Sequence, residues 1–192
     1  MDHVFYNVPS EVQIIYCHGP TPQPIFREFA DKVRFVKGAE ADFMNKEDLS
    51  KMRDVLLILD DCYQEIGRQN KDLIRWIFCT LNHHANNSCL LLLHHMYSQT
   101  IPHLRETMLN CNFFCFTNSV ANKSMLRTWC MQYYPEKWKS VLSILDHVFS
   151  QSRFGYVNFD FSPFKDDRFR ISTYLTPEEG QGHRLFFLFK DS

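Results

Sequence analysis

Two adjacent carboxylates, Asp60 and Asp61, follow an apolar run from Val55 to Leu59. Continuous apolar runs of this length are typical of strands buried in a parallel sheet, and the carboxyl ends of such strands line the crevice where open α/β sheets bind ligands. In phosphate-handling ATPases a strand of this kind supplies one carboxylate to the Mg²⁺ shell and a second that polarises the attacking water. A strand that simply ends in a turn has the same pattern, so the two acids do not decide the function alone.

Four histidines are the candidate metal ligands of the chain: His83, His84, His94 and His95. Imidazole suits zinc, but neighbouring residues on a strand point to opposite faces, so each pair offers one ligand to a given site. Histidines that end a helix or a strand in a polar crevice are the commoner case, and we expect neither a metal nor another cofactor. Cys17 with His18, or Cys89 near His94, would suit a thiol nucleophile, but spacing identifies no third orienting group.

The elements that must position these residues alternate between strand and helix periodicity. A polar helix is predicted over residues 46–52, an amphipathic one over 71–81, and further helices after Pro102, over 121–132 and over 135–149. Strands are predicted over residues 11–17, 34–36, 54–60, 89–93 and 112–117, and an antiparallel pair over 155–161 and 168–174. This order predicts an α/β fold, with a mostly parallel sheet flanked by helices and finished by an antiparallel edge.

The composition bears on three expectations: a nucleic acid partner, contact with a membrane, and the compartment of the protein. The 192 residues carry 21 Lys and Arg against 22 Asp and Glu, a net charge of −1, so a nucleic acid partner is not supported by bulk charge and would need a local contact. No apolar run approaches the length of a membrane span, and we expect no membrane contact. The seven cysteines are scattered without a CxxC pair, which favours reduced thiols in an intracellular protein, cytoplasmic or nuclear.

Four short motifs occur in a fixed order along the chain: Leu57 to Asp61 with Glu65, His83-His84-Ala-Asn86-Asn87-Ser88 before a strand, Arg105 with Asn110, and Phe154-Gly155-Tyr156 with Asp160 and Ser162-Pro163. This ordered set resembles the FtsK/HerA-type DNA-packaging ATPases of large DNA viruses and of Polinton/Maverick elements. The resemblance covers about residues 11–175 and implies a RecA-like (ASCE) P-loop NTPase fold. It makes Asp60 and Asp61 a Walker B-like pair, places His94 at the sensor position and makes Arg105 a candidate arginine finger.

Two departures from that family affect the expected activity. The phosphate-binding pattern G-x-x-x-x-G-K-[ST] occurs nowhere among the 192 residues, and with it the strand and helix of the P-loop are missing. The family's sensor strand ends in a polar triplet, whereas Leu93, His94 and His95 stand here. The missing strand would lie beside the sensor strand, so we expect either that strand 89–93 and strand 112–117 pair directly, or that another chain or residues Val4 to Val8 fill the place.

Two hypotheses follow from these motifs. The first is a catalytically inactive, ATPase-like domain of viral or mobile-element origin that acts as a protein-binding or scaffold module, with a protein partner or a second copy of the chain. The alternative is the C-terminal portion of an active ATP-dependent DNA-translocating motor, with ATP and Mg²⁺ as cofactors and a P-loop upstream. In both, we expect an extension over residues 1–10, the α/β domain over 11–176, and a tail over 177–192 that packs on the domain or on a partner.

Overall fold

The computed structural model of the chain describes residues 13–19, 24, 33–38, 45–70, 72–82, 87–93, 103–119, 123–174 and 185–189. The chain divides into two compact units, the first formed by residues 8–110 and the second by residues 111–192 together with 1–7. Each unit contains a four-stranded sheet.

The sheet of the first unit is parallel throughout. Its strands are β1 (Gln13–His18), β2 (Val33–Lys37), β3 (Val55–Asp60) and β4 (Ser88–Leu92), in the order β2-β1-β3-β4. Buried side chains on both faces of β1 and β3 explain why their sequences lack polar alternation. Strands β1 and β3 are the two central strands and pair with each other, so His18 at the end of β1 lies opposite Asp60 at the end of β3.

Three short helices lie between these strands in the chain, α1 (Lys46–Lys51), α2 (Tyr63–Gln69) and α3 (Leu73–Trp76), and α4 (Leu104–Leu109) follows β4. Asn45 caps α1 by accepting a hydrogen bond from the backbone N–H of Asp48. A π-helical turn, Ile77–Leu81, continues α3. The apolar stripe predicted over 71–81 is confirmed as a buried face, formed by Leu73, Ile74, Ile77, Phe78 and Leu81.

The sheet of the second unit is antiparallel, in the order β5-β6-β7-β8. Its strands are β5 (Phe113–Thr117), β6 (Tyr156–Asp160), β7 (Ile171–Thr173) and β8 (Leu185–Phe186), and its helices are α5 (Lys123–Tyr133) and α6 (Trp138–Gln151). Trp129 of α5 is the centre of an aromatic core, with ring centroids 4.8 Å from Phe116 and 4.7 Å from Phe159. The described part of the 177–192 tail joins this unit, since β8 pairs with β7.

The predicted α/β class and its parallel sheet are confirmed, but the antiparallel strands near the C-terminus form a separate four-stranded sheet and not the predicted edge of the parallel sheet. Strand β5 pairs with β6 in the antiparallel sheet and not with β4, so the first of the two alternatives, direct pairing of the strands on either side of the missing P-loop strand, is wrong. The physical reason is visible in β5, where Phe114 and Phe116 are buried while the intervening residues are exposed. One-sided burial is typical of antiparallel sheets. Residues Val4 to Val8, the other candidates for that place, lie outside the described residues.

Within the described part of the chain, no helix has both the length and the apolar composition needed to cross a membrane.

Candidate functional site

Asp60, which the resemblance to packaging ATPases places in a Walker B-like pair, lies at the carboxyl end of β3 and is 4% exposed. The hydroxyl of Tyr16, a fully buried residue of β1, donates a short hydrogen bond to Asp60 Oδ2. Tyr16 is in turn held in an apolar cluster with Ile14, Val33 and Ile58, and its ring meets Phe35 edge-on at 5.7 Å. One carboxylate oxygen of Asp60 is therefore directed at the interior of the sheet and already has a donor.

Asp61 differs from Asp60 in exposure and in backbone conformation. It is exposed and has a positive φ of 49°, a left-handed conformation that Asp tolerates better than most residues. Backbone hydrogen bonds fix this turn: Asp61 N donates to Leu92 O at 3.4 Å, and Gly19 N donates to Asp60 O at 3.0 Å. The two acids are adjacent in sequence, yet only Asp61 is presented to solvent.

The end of β1 and the start of α2 pack against the glycine that follows β2. A Cβ at Gly38 would lie 2.6 Å from Cys62 Cβ and 3.1 Å from Glu65 Oε2, so only glycine fits this contact. Cys62 Sγ donates to the backbone oxygen of Cys17 at 3.4 Å. Glu65 Oε2 is buried and, among the described residues, has no hydrogen-bond donor.

The thiols of Cys17 and Cys62 at this edge of the sheet are fully buried, which makes them poor nucleophiles. Burial raises the pKa of Cys17 to about 12, an effect that the charge of Arg34 only partly offsets. Burial likewise raises the pKa of Cys62 to about 12, and electrostatic repulsion from the nearby Cys17 contributes to the increase. His18 Nδ1 lies 2.7 Å from the Gly19 carbonyl oxygen, to which a ring N–H donates. Since the thiolate is the reactive form, the Cys17–His18 pair does not have the properties of a catalytic thiol.

The other motif residues are spread over the fold. Asn87 is buried and joins β3 to the preceding loop: its Oδ1 accepts from Val55 N at 3.0 Å, and its Nδ2 donates to Met52 O at 3.2 Å. Arg105 is exposed on α4. In the second unit, Asp160 closes the turn after β6 by accepting from the backbone N–H of Ser162 at 3.0 Å and from its hydroxyl. Asn87 and Asp160 therefore have structural roles. The role of Arg105 as an arginine finger stays a prediction.

The four candidate metal ligands lie outside the described residues: His83, His84, His94 and His95. These include His94, which the resemblance places at the sensor position. In the part of the chain that is described, no three His, Cys, Asp or Glu side chains converge as a metal site would require.

Sequence reasoning missed Tyr16, although a signal for it existed. A tyrosine in a strand buried on both faces needs a partner for its hydroxyl, and the neighbouring strand ends in Asp60. In the parallel register Tyr16 lies opposite Ile58, so Tyr16 and Asp60 share one face of the sheet.

With its parallel sheet, its helices and its antiparallel sheet, the chain is an α/β protein at the level of fold class. Comparisons with models of protein families, with curated proteins and with solved structures gave no match.

Proposed function

We propose that this chain is a catalytically inactive, packaging-ATPase-like domain that acts as a protein-binding or scaffold module. The observation that carries the proposal is the state of Asp60, which is buried and hydrogen-bonded to Tyr16. A Walker B carboxylate works by facing the Mg²⁺ shell, whereas this carboxylate stabilises the junction of β1 and β3. The absence of G-x-x-x-x-G-K-[ST] from the 192 residues supports the same conclusion, because phosphoryl transfer depends on that cradle.

A second observation supports a protein partner. Phe164 in the β6–β7 turn is fully exposed, and Phe154 before β6 is 81% exposed. The turn that carries Phe164 is ordered by ion pairs, Lys165 Nζ with Asp160 Oδ2 at 3.7 Å and Arg168 Nη2 with Asp166 Oδ2 at 2.8 Å. An exposed aromatic side chain on an ordered turn loses little entropy on binding, and such side chains are common anchors in protein interfaces.

Nucleotide binding tests the inactive state. Calorimetry of the chain with ATP and Mg²⁺ up to millimolar concentration is expected to show no binding. Asp60→Asn removes the charge that a Mg²⁺ site would need, and Asp61→Asn is the matched control on the adjacent, exposed acid. Binding by the wild-type chain that Asp60→Asn abolishes and Asp61→Asn preserves would refute the proposal.

Partner capture tests the scaffold role. Proteins crosslinked to the wild-type chain in cells are compared with those crosslinked to Phe164→Ser and Phe154→Ser, with Met131→Ser as the control at another exposed apolar residue. We expect one or more proteins to be lost from the two Phe variants and retained by the control. Identical capture by all four proteins would contradict a role for these phenylalanines.

One observation favours the alternative, the C-terminal portion of an active DNA-translocating motor. The sheet order puts β3 between β1 and β4 and makes β4 the last strand of that order among the described residues. The resemblance implies a P-loop strand beside β4, where an upstream segment of a longer chain could pair. A reading frame that encodes G-x-x-x-x-G-K-[ST] upstream of Met1, with ATP hydrolysis by the longer protein, would establish this alternative and end the first proposal.

A further inference from the structure

A cleft of about 410 Å³ lies in the first unit, where α3 and the π-helical turn pack against α4, and Lys46 at the start of α1 also lines it. Its wall includes Trp76, and it is called the Trp76 cleft below. The volume is within the range of small-molecule sites. The π-helical turn Ile77–Leu81 forms part of the wall and carries Cys79 and Thr80 into it. Single π-turns inside helices occur frequently at functional sites.

Two cations of this cleft, Lys46 and Arg75, have N–H groups without a hydrogen-bond acceptor in the part of the chain that the structure describes. Lys46 Nζ stands 6.0 Å from the centroid of the Trp76 ring, and within the described residues its ammonium forms no ion pair. The guanidinium of Arg75 approaches Asp72 Oδ1 only to 3.9 Å, which is beyond hydrogen-bond distance. Both residues line the same cleft, and each cation would gain strong, charge-assisted hydrogen bonds from an anion bound there.

The acids of the cleft, by contrast, have a partner in His103. His103 Nε2 lies 3.3 Å from Asp72 Oδ1, and Nδ1 lies 3.9 Å from Glu106 Oε1. These two carboxylates would repel a ligand of high negative charge, so the cleft favours a single negative charge near the cations. The indole of Trp76 is half-buried in the wall of the cleft and offers a flat apolar surface to a ring.

We propose that the Trp76 cleft binds a small monoanion that carries a planar ring, with the anionic group on Lys46 and Arg75 and the ring on the indole of Trp76. This inference does not depend on the proposed function, because the cleft shares no residue with the Asp60 edge of the sheet.

Thiol protection tests the site with 2-naphthoate as the probe. Cys79 is half-exposed in the cleft wall, where Asn110 Nδ2 donates to its Sγ at 3.2 Å. Cys115 is exposed in the second unit and is the internal control. Millimolar 2-naphthoate is expected to slow alkylation of Cys79 by iodoacetamide several-fold, as measured by mass spectrometry, and to leave the rate at Cys115 unchanged.

Matched ligands and variants then measure separately what the charge and the ring of the ligand contribute to binding. We expect 2-naphthamide, which lacks the charge, and acetate, which lacks the ring, to protect Cys79 much less than 2-naphthoate. Lys46→Gln and Arg75→Gln should each raise the Kd for 2-naphthoate about tenfold, the loss of one charge-assisted hydrogen bond. Lys51→Gln is the matched control, since Lys51 also lies on α1 but is paired with Glu47 at 3.0 Å.

Three results would overturn the proposal: no protection of Cys79, equal protection by 2-naphthamide, or a Kd that Lys46→Gln and Arg75→Gln leave unchanged. Both cations are exposed, so the fold should tolerate their replacement, and the circular dichroism of each variant checks this.

Discussion

The hydrogen bond from Tyr16 to Asp60 makes a quantitative prediction about stability. Replacing Tyr16 with Phe keeps the ring in its apolar cluster and removes only the hydroxyl that donates to Asp60 Oδ2. The carboxylate would then remain buried without that donor. Hydrogen bonds to charged groups contribute about 1.5–3 kcal/mol, and a buried carboxylate left without its partner loses at least that much. We expect Tyr16→Phe to lower the free energy of unfolding by about 2–3 kcal/mol.

A double-mutant cycle isolates this pair from other effects of the substitutions. Urea unfolding at neutral pH is measured for the wild type, Tyr16→Phe, Asp60→Ala and the double variant. The coupling energy is expected to be about 1.5–3 kcal/mol, because each single variant already removes the shared hydrogen bond. Tyr134→Phe is the matched control, since the Tyr134 hydroxyl is buried and has no hydrogen-bond partner in the described part of the chain. This control should change stability little.

A coupling energy below about 0.5 kcal/mol would refute the reasoning, because sites that do not interact are additive within that margin. Asp60 would then be free to serve another purpose, and the main support for an inactive domain would be lost.

Three further predictions concern the same sheet. Burial raises the pKa of Cys17 and Cys62 from 9.0 to about 12, so their stabilisation is complete below pH 9 and is lost as the pH rises toward 12. Urea unfolding should show a loss of about 1 kcal/mol per thiol at pH 10, and Cys62→Ala should remove about half of the loss from these two thiols, because Cys17 still titrates; a wild-type profile that is level from pH 8 to 11 would contradict this. Gly38→Ala should destabilise by about 1–3 kcal/mol because its Cβ would meet Cys62 Cβ at 2.6 Å. Gly67→Ala, the control in α2 with open space around its Cβ, should instead stabilise by about 0.5–1 kcal/mol in the same unfolding assay. Asn87→Ala should cost about 2–3 kcal/mol, since the N–H of Val55 and the carbonyl of Met52 lose their partner; an unchanged thermal midpoint would show that water replaces the amide.

The local elements could be predicted because each depends on residues close together in the chain. Alternation of apolar and polar residues predicted β6. Helical spacing predicted the buried apolar face that α3 shares with the π-helical turn. Helix α2 (Tyr63–Gln69) was not predicted, because its short sequence has no clear apolar period. The apolar run of β3 with its terminal acids was predicted at the right place.

Strand pairing could not be predicted in the same way. Strand β5 has the composition of a buried strand, and its partner depends on whether one or both of its faces are covered. Only the folded chain shows that Phe114 and Phe116 alone are buried and that β6 is its neighbour.

By itself, the sequence determined the α/β class, the position of Asp60 and Asp61 at the end of a strand, and the absence of G-x-x-x-x-G-K-[ST] from these residues. Only the tertiary structure decided what Asp60 does, because its partner Tyr16 lies 44 residues earlier and comes within hydrogen-bond distance only when β1 pairs with β3 in one register. A shift of that register by one residue would turn the Tyr16 hydroxyl to the other face of the sheet. The Trp76 cleft likewise exists only where separate helices meet, since its cations and its indole come from elements whose packing no local pattern specifies.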